Sequence, residues 1–214
     1  MSIEVDQEDT HDAIMRATYH ALCEHGYAHL TMQDIADEFD KSRSLLHYHY
    51  DTKEDLMLVF LDRIIGWVGA RLAESATEQP LERMEEYIDK FVIEPGEEQR
   101  QTFALALLEL RVQAAHNDAF REKLAAHYEE NVAAVADIVA DGTDEGVFRD
   151  VDPEWAGEAV YTALTGARMY QVTLGAPRAT LRMRDAIAEF VVEDLLVEDR
   201  PVAEYTGGNF SKND

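Results

Sequence analysis

Residues 41–50 read KSRSLLHYHY. In ten positions they hold one ammonium, one guanidinium, two serine hydroxyls, two imidazoles, two phenols and no carboxylate. That is a donor-rich set suited to phosphate oxygens and the edges of bases. Arg43 can donate to a guanine edge or to a phosphate, and Ser44 is short and polar. Leu45 can meet a thymine methyl, or stand as an incidental surface apolar residue. His47, Tyr48 and His49 follow within about one turn, so some of them must point outward. Lys53 opens the next helix, where free backbone N–H groups and the helix dipole also favour a phosphate.

Other chemistries fit less well. The His47/Tyr48/His49/Tyr50 cluster has the composition of a metal patch, but alternate residues on a helix diverge, and no HExxH or CxxC accompanies it. No metal and no cofactor is expected. Tyr48 and Tyr50 have an alternative as core aromatics, the stronger for Tyr50. An enzyme is the main rival class, since helical bundles can house carboxylate–histidine metal sites. Glu24 and Glu122 lack a histidine at the required spacing, and neither a Gly-rich phosphate loop nor a nucleophile elbow is present. Cys23 is the one cysteine. It reads as a small apolar helix residue and fits a reducing cytoplasm.

The elements that must position this segment are helical. Ile14, Ala17, Thr18, Ala21 and Leu22 fall on one helix face, and Gly26 supplies a stop. Thr31 with Asp34 is a capping-box-like start, which Thr52 and Asp55 repeat. Between them lie two short helices with a tight turn around Asp40-Lys41. Ile35, Ala36 and Phe39 form the inner face of the first, and Leu46 anchors the second against them. A helix-turn-helix sets its second helix in the major groove with N-terminal side chains at base edges, here Ser42, Arg43, Ser44 and Leu45.

The charge runs against this reading. The chain carries 44 acids against 19 Lys plus Arg, a formal −25. Such a balance repels nucleic acid at low salt and favours a protein-interaction scaffold. The acids are spread along the chain, as on the solvated surface of a protein from a salt-loving organism. At about 1 M salt the Debye length is roughly 3 Å, which hides the global charge from a phosphate. In so acidic a chain, acid-free stretches mark burial or an anionic partner. Besides 41–50 they include 13–23, 63–73, 99–108 and the longest, 159–184, which holds Arg168, Arg178, Arg182 and Arg184.

The rest of the chain follows the same helical grammar. A long helix from about Lys53 to Glu74 is apolar on more than one side, so it packs on several faces and suits a lever. Pro80 opens another helix, Glu94-Pro95-Gly96 is a turn, and Asn117-Asp118 breaks the next long segment. Asp141 to Gly146 reads as a loop, and Asp152-Pro153 as an N-cap with proline in the first turn. Gly175-Ala176-Pro177 separates the last two helices, about 153–175 and 180–197. The acidic N-terminus has no apolar stretch and is not expected to be a signal peptide. Apolar runs such as Phe103 to Leu108 are too short to span a membrane. The expected location is cytoplasmic.

The segment EHGY (24–27), Thr31, DIA (34–36), Ser42 with Arg43, Leu46 and HYHYDTKEDL (47–56) resembles the TetR/AcrR family of transcription regulators. The stretch EGVFRDVDP at 145–153 is similar to the family's connection before its penultimate long helix. The resemblance implies an all-α fold of about nine helices, with three in a DNA-binding head. It implies DNA contacts at Thr31, Gln33, Ser42, Arg43, Ser44, Leu45, His47, Tyr48 and Lys53. The family's usual turn glycine is Asp40 here, and its usual tyrosine after Leu46 is His47. The expected layout is a head at 8–52, a helical effector-binding and dimerisation domain at 53–200, and a flexible tail at 201–214. A pocket is expected among Trp67, Phe103, Leu107, Arg111, Met169 and Tyr170, a mix that suits a small apolar effector. Small residues Ala159, Ala163, Gly166 and Ala167 and the stripe Ile187, Phe190, Val191 and Leu195 are expected at a homodimer interface, with intrachain core as the alternative. The functional expectation is a repressor that binds a palindromic double-stranded operator as a dimer and is released by its effector.

Overall fold

The computed structural model describes residues 3–39, 43–73 and 77–197, with side chains except at 3–9, 43, 67–68, 71–73, 190 and 193. Nine α-helices longer than a single turn lie among the described residues: α1 (Ile3–His29), α2 (Met32–Asp37), α3 (Arg43–His49), α4 (Lys53–Ala73), α5 (Pro80–Asp89), α6 (Glu98–Gln113), α7 (Asp118–Asp144), α8 (Pro153–Leu174) and α9 (Ala179–Ile187). A π-helical stretch, Ala188–Val192, and a single turn, α10 (Glu193–Leu195), continue α9. The extended pairing among the described residues is one isolated bridge, Phe148 to Leu196. The fold is therefore all-α. No helix among the described residues is long and apolar enough to cross a membrane.

Local chemistry sets most boundaries. At Thr31 the hydroxyl accepts the Asp34 amide while the Asp34 carboxylate accepts the Thr31 amide at 2.8 Å, a complete capping box. Those bonds from Thr31 hold the Asp34 carboxyl below its ordinary range. The Thr52 hydroxyl accepts the Asp55 amide in the same way. Asp152 caps α8 through the amides of Glu154 and Trp155, with Pro153 in the first turn. Asn117 caps α7 through Ala119 and Phe120. The expected loop at Asp141 begins later: α7 stays helical through Asp144, and Gly146 then takes a left-handed φ of 68°. The Thr143 hydroxyl donates to Val139 within that last turn.

The chain forms two compact units. The first comprises Met1–Trp67 with Glu98–Ala126, so the head's helices share it with α6 and the start of α7. Its core takes Ile14, Ala17, Ala21 and Leu22 from α1, Ile35 and Ala36 from α2, Leu46 from α3, Leu56, Met57 and Phe60 from α4, Ala106 and Leu110 from α6, and Phe120. Thr18, on the same α1 face, is buried because its hydroxyl bonds the Ile14 carbonyl at 2.8 Å.

The second unit comprises Val68–Glu97 and His127–Asp214. Its core is built on Met84, Tyr87, Phe91, Val135, Val139, Phe148, Val160, Tyr161 and Leu164. Helices α7 and α8 approach so closely that a Cβ on Gly157 would stand 2.4 Å from the Val132 carbonyl oxygen. A buried polar pin joins the 91–93 segment to α8 and α9. The Gln171 amide donates to the Ile93 carbonyl at 2.8 Å, and the Thr180 hydroxyl accepts the Ile93 amide and donates to Gln171.

The π-helical stretch shifts the register of the last helix. A regular helix would turn Ile187, Val191 and Leu195 to one side. The extra residue per π turn instead brings Ile187, Val192 and Leu195 into the core and leaves Val191 half-buried.

Candidate nucleic-acid interface

Helix α3 has a buried side and an open side. Leu46 is fully buried and Tyr50, one turn on, is 6 % exposed. Ser44, His47 and Tyr48 are exposed, Tyr48 to 81 %. Their i, i+3, i+4 spacing puts these three on one face. They present hydroxyl, imidazole and phenol donors to whatever lies against it. Leu45 is half-buried against the first core, which limits its reach outward. Arg43 begins α3, but its side chain, together with Ser42 and the Asp40-Lys41 turn, lies outside the described residues.

The aromatic and imidazole cluster divides in the same way. Tyr50 bonds His11 of α1, with its hydroxyl 3.1 Å from Nδ1. The His11 and His49 rings meet edge-on at 5.0 Å. Burial and the neighbouring His11 hold the His49 imidazole below its usual range, and burial raises the Tyr50 phenol. These two side chains tie α3 to α1. Thr31 is exposed and Gln33 half-buried at the start of α2, where the Gln33 amide donates to Asp37 at 2.5 Å.

Lys53 is half-buried, and its ammonium donates to the carbonyls of Tyr27 at 3.1 Å and Leu30 at 2.9 Å. It also lies 4.4 Å above the Tyr27 ring. An ammonium has three donors, so one remains beyond these two bonds.

The six effector candidates fall in different places. Phe103 and Leu107 pack against the first core, with the Phe103 ring 4.9 Å from Tyr19, and Arg111 is exposed. Met169 and Tyr170 are exposed on α8, and the Trp67 side chain lies outside the described residues. The second unit contains a cavity of about 630 Å³ along α8 and α9, lined among others by Thr162, Gly166, Tyr170, Pro177, Arg178 and Arg182. Of the six candidates, Tyr170 lines it. Of the interface candidates, Ala159 is exposed, Ala163 and Gly166 are half-buried, and Ala167, Ile187 and Leu195 are buried within one chain. The Phe190 side chain lies outside the described residues. Among the described residues no group of three or more His, Cys, Asp or Glu side chains is placed to hold a metal.

A helix with one side anchored in a helical core and a donor-rich opposite side, after a capped short helix, is the arrangement expected of a helix-turn-helix head. Residues 14–59 match the family model described as bacterial regulatory proteins, tetR family, and residues 80–197 match the BetI-type transcriptional repressor C-terminal model. Among solved structures, a TetR transcription regulator from Haloarcula marismortui is 36% identical, with a TM-score of 0.82 over 89% of this chain and 100% of that one. A transcriptional regulator from Saccharomonospora viridis in complex with choline is 20% identical, with a TM-score of 0.78 over 89% of this chain and 100% of that one. A TetR-family regulator from Rhodococcus sp. is 22% identical, with a TM-score of 0.70 over 85% and 98%. The last two show the fold alone. No curated protein matches the chain. The chain belongs to the TetR family of transcription regulators, with a DNA-binding and a ligand-binding domain.

Proposed function

We propose that the protein is a cytoplasmic repressor that binds a palindromic operator as a homodimer and is released by a small, largely apolar effector. The observation that carries the DNA reading is the open face of α3, Ser44, His47 and Tyr48, backed by the buried Leu46 and Tyr50. Thr31, Gln33, Ser42, Arg43, Leu45 and Lys53 complete the proposed contacts.

The acidity shapes how this works. Residues 31–56 hold three Lys plus Arg against seven acids. Binding then relies on the acid-free window, Lys53 and backbone N–H groups, with the surrounding carboxylates screened by salt. The kinship with a Haloarcula regulator supports a halophilic setting. The dimer reading rests on the acid-free α8 face at Ala159, Ala163 and Gly166, where two chains of −25 can meet without opposing carboxylates. Tyr170 lines the cavity whose wall also takes in Ala163 and Gly166 of that face, and it is the effector candidate that the geometry favours.

The test is a footprint on the DNA upstream of the protein's own gene, from about 0.1 to 3 M KCl. A protected palindrome strengthening into the molar range supports the reading. No protection at any salt removes it in favour of an interaction module or an enzyme.

A further inference from the structure

We infer that Glu109 of α6 is a positioning residue for DNA binding: its carboxylate seats the turn that joins α1 to α2, and operator affinity depends on that seat. The inference rests on the DNA-binding reading above.

The turn begins at Gly26, whose φ of 66° and ψ of 161° lie in a region open almost only to glycine. The chain breaks direction there and winds one helical turn, closed by the Leu30 amide on the Gly26 carbonyl at 3.0 Å. The first amides of a helical turn lack carbonyl partners within that turn. Glu109 supplies an acceptor. Its Oε2 accepts the Tyr27 amide at 2.5 Å and the Ala28 amide at 3.4 Å, across 82 and 81 positions of sequence. A Cβ on Gly26 would stand 3.0 Å from the same oxygen, so the glycine provides both the backbone angle and the room.

The other end of the turn is held by the opposite charge. Lys53, the first residue of α4, donates to the Tyr27 and Leu30 carbonyls. An anion at the amide end and a cation at the carbonyl end complement the dipole of the turn. Immediately beyond Leu30, which is 2 % exposed, Thr31 caps α2, and α2 packs on α3. Loosening the amide end therefore loosens the platform that carries Ser44, His47 and Tyr48.

The sign of the effect separates this from simple electrostatics. Removing an acid from a chain of −25 strengthens DNA binding by charge alone. The seat predicts the reverse. With the operator fragment found by footprinting, at its optimal salt, Glu109→Ala should weaken binding at least about fivefold, because fewer heads hold the competent arrangement. Glu109→Gln keeps a carbonyl acceptor and should fall between. Hydrogen exchange of the full-length protein should show the Tyr27 and Ala28 amides opening faster in both variants, in the same order. A cycle with Lys53→Met should be non-additive, since both side chains hold one turn. Binding by both variants equal to or tighter than wild type, or unchanged exchange at Tyr27 and Ala28, overturns the inference. If Glu109→Ala does not fold, Glu109→Gln and the exchange rates decide. No footprint with the wild-type protein would instead defeat the DNA reading itself, and this inference with it.

Discussion

The Lys53 ammonium lies 4.4 Å above the Tyr27 ring and donates to the carbonyl of that same residue at 3.1 Å. One side chain thus closes the end of α1 onto the start of α4. In the DNA-free protein, Lys53→Met leaves the Tyr27 and Leu30 carbonyls without this donor. It should cost about 1–3 kcal/mol of unfolding free energy. Urea denaturation without DNA measures this. An unchanged midpoint would reduce Lys53 to a phosphate contact alone.

Tyr48 offers the opposite case. It is 81 % exposed. Tyr48→Ala should leave the urea midpoint within about 0.5 kcal/mol of wild type. Its operator affinity should fall by about 1 kcal/mol, the worth of one lost hydrogen bond. Retained affinity would remove Tyr48 from the proposed contact face.

Two glycines on α8 should respond in opposite ways. On Gly157 a Cβ meets the Val132 carbonyl oxygen at 2.4 Å, so Gly157→Ala should destabilise by about 1–3 kcal/mol. On Gly166 it meets nothing within 4 Å of its own chain, so Gly166→Ala should add about 0.5–1 kcal/mol of helix stability. Gly166→Leu should keep the fold while shifting sedimentation toward monomer. A dimer of unchanged strength would move the interface off this face.

Glu85 predicts a pH dependence. Burial, then the carboxylates of Asp89 and Glu82, push its carboxyl up to about 7 from an ordinary 4.5. The native chain then holds a proton that the unfolded chain has already released. Stability should fall as pH rises from about 4.5 to 7 and level off above. Glu85→Gln should flatten that decline and raise the urea midpoint at pH 8, measured at constant high KCl. Parallel profiles for variant and wild type would show that the proton sits elsewhere.

Much of the head is legible in the sequence because its determinants are local. The Thr31–Asp34 box, the Asp152-Pro153 start and the Gly26 break each act within four residues, so their spacing alone predicts them. The inward face of α1 and the anchor Leu46 follow from helical period. Tertiary structure decides what depends on distant partners. Glu109 reads as one more acid after an apolar run, and the Tyr27 amide it accepts lies 82 positions away. Ile187, Val191 and Leu195 share a stripe by period, yet a single π insertion, invisible to a 3.6-residue count, puts Val192 in the core beside Ile187 and Leu195. By itself the sequence determined most of the helices and which face of α3 is anchored, because backbone caps and burial periodicity are short-range. What Lys53, Glu109 and the end of α9 touch was decided only when the chain closed on itself, because hydrogen-bond partners are chosen by position in space.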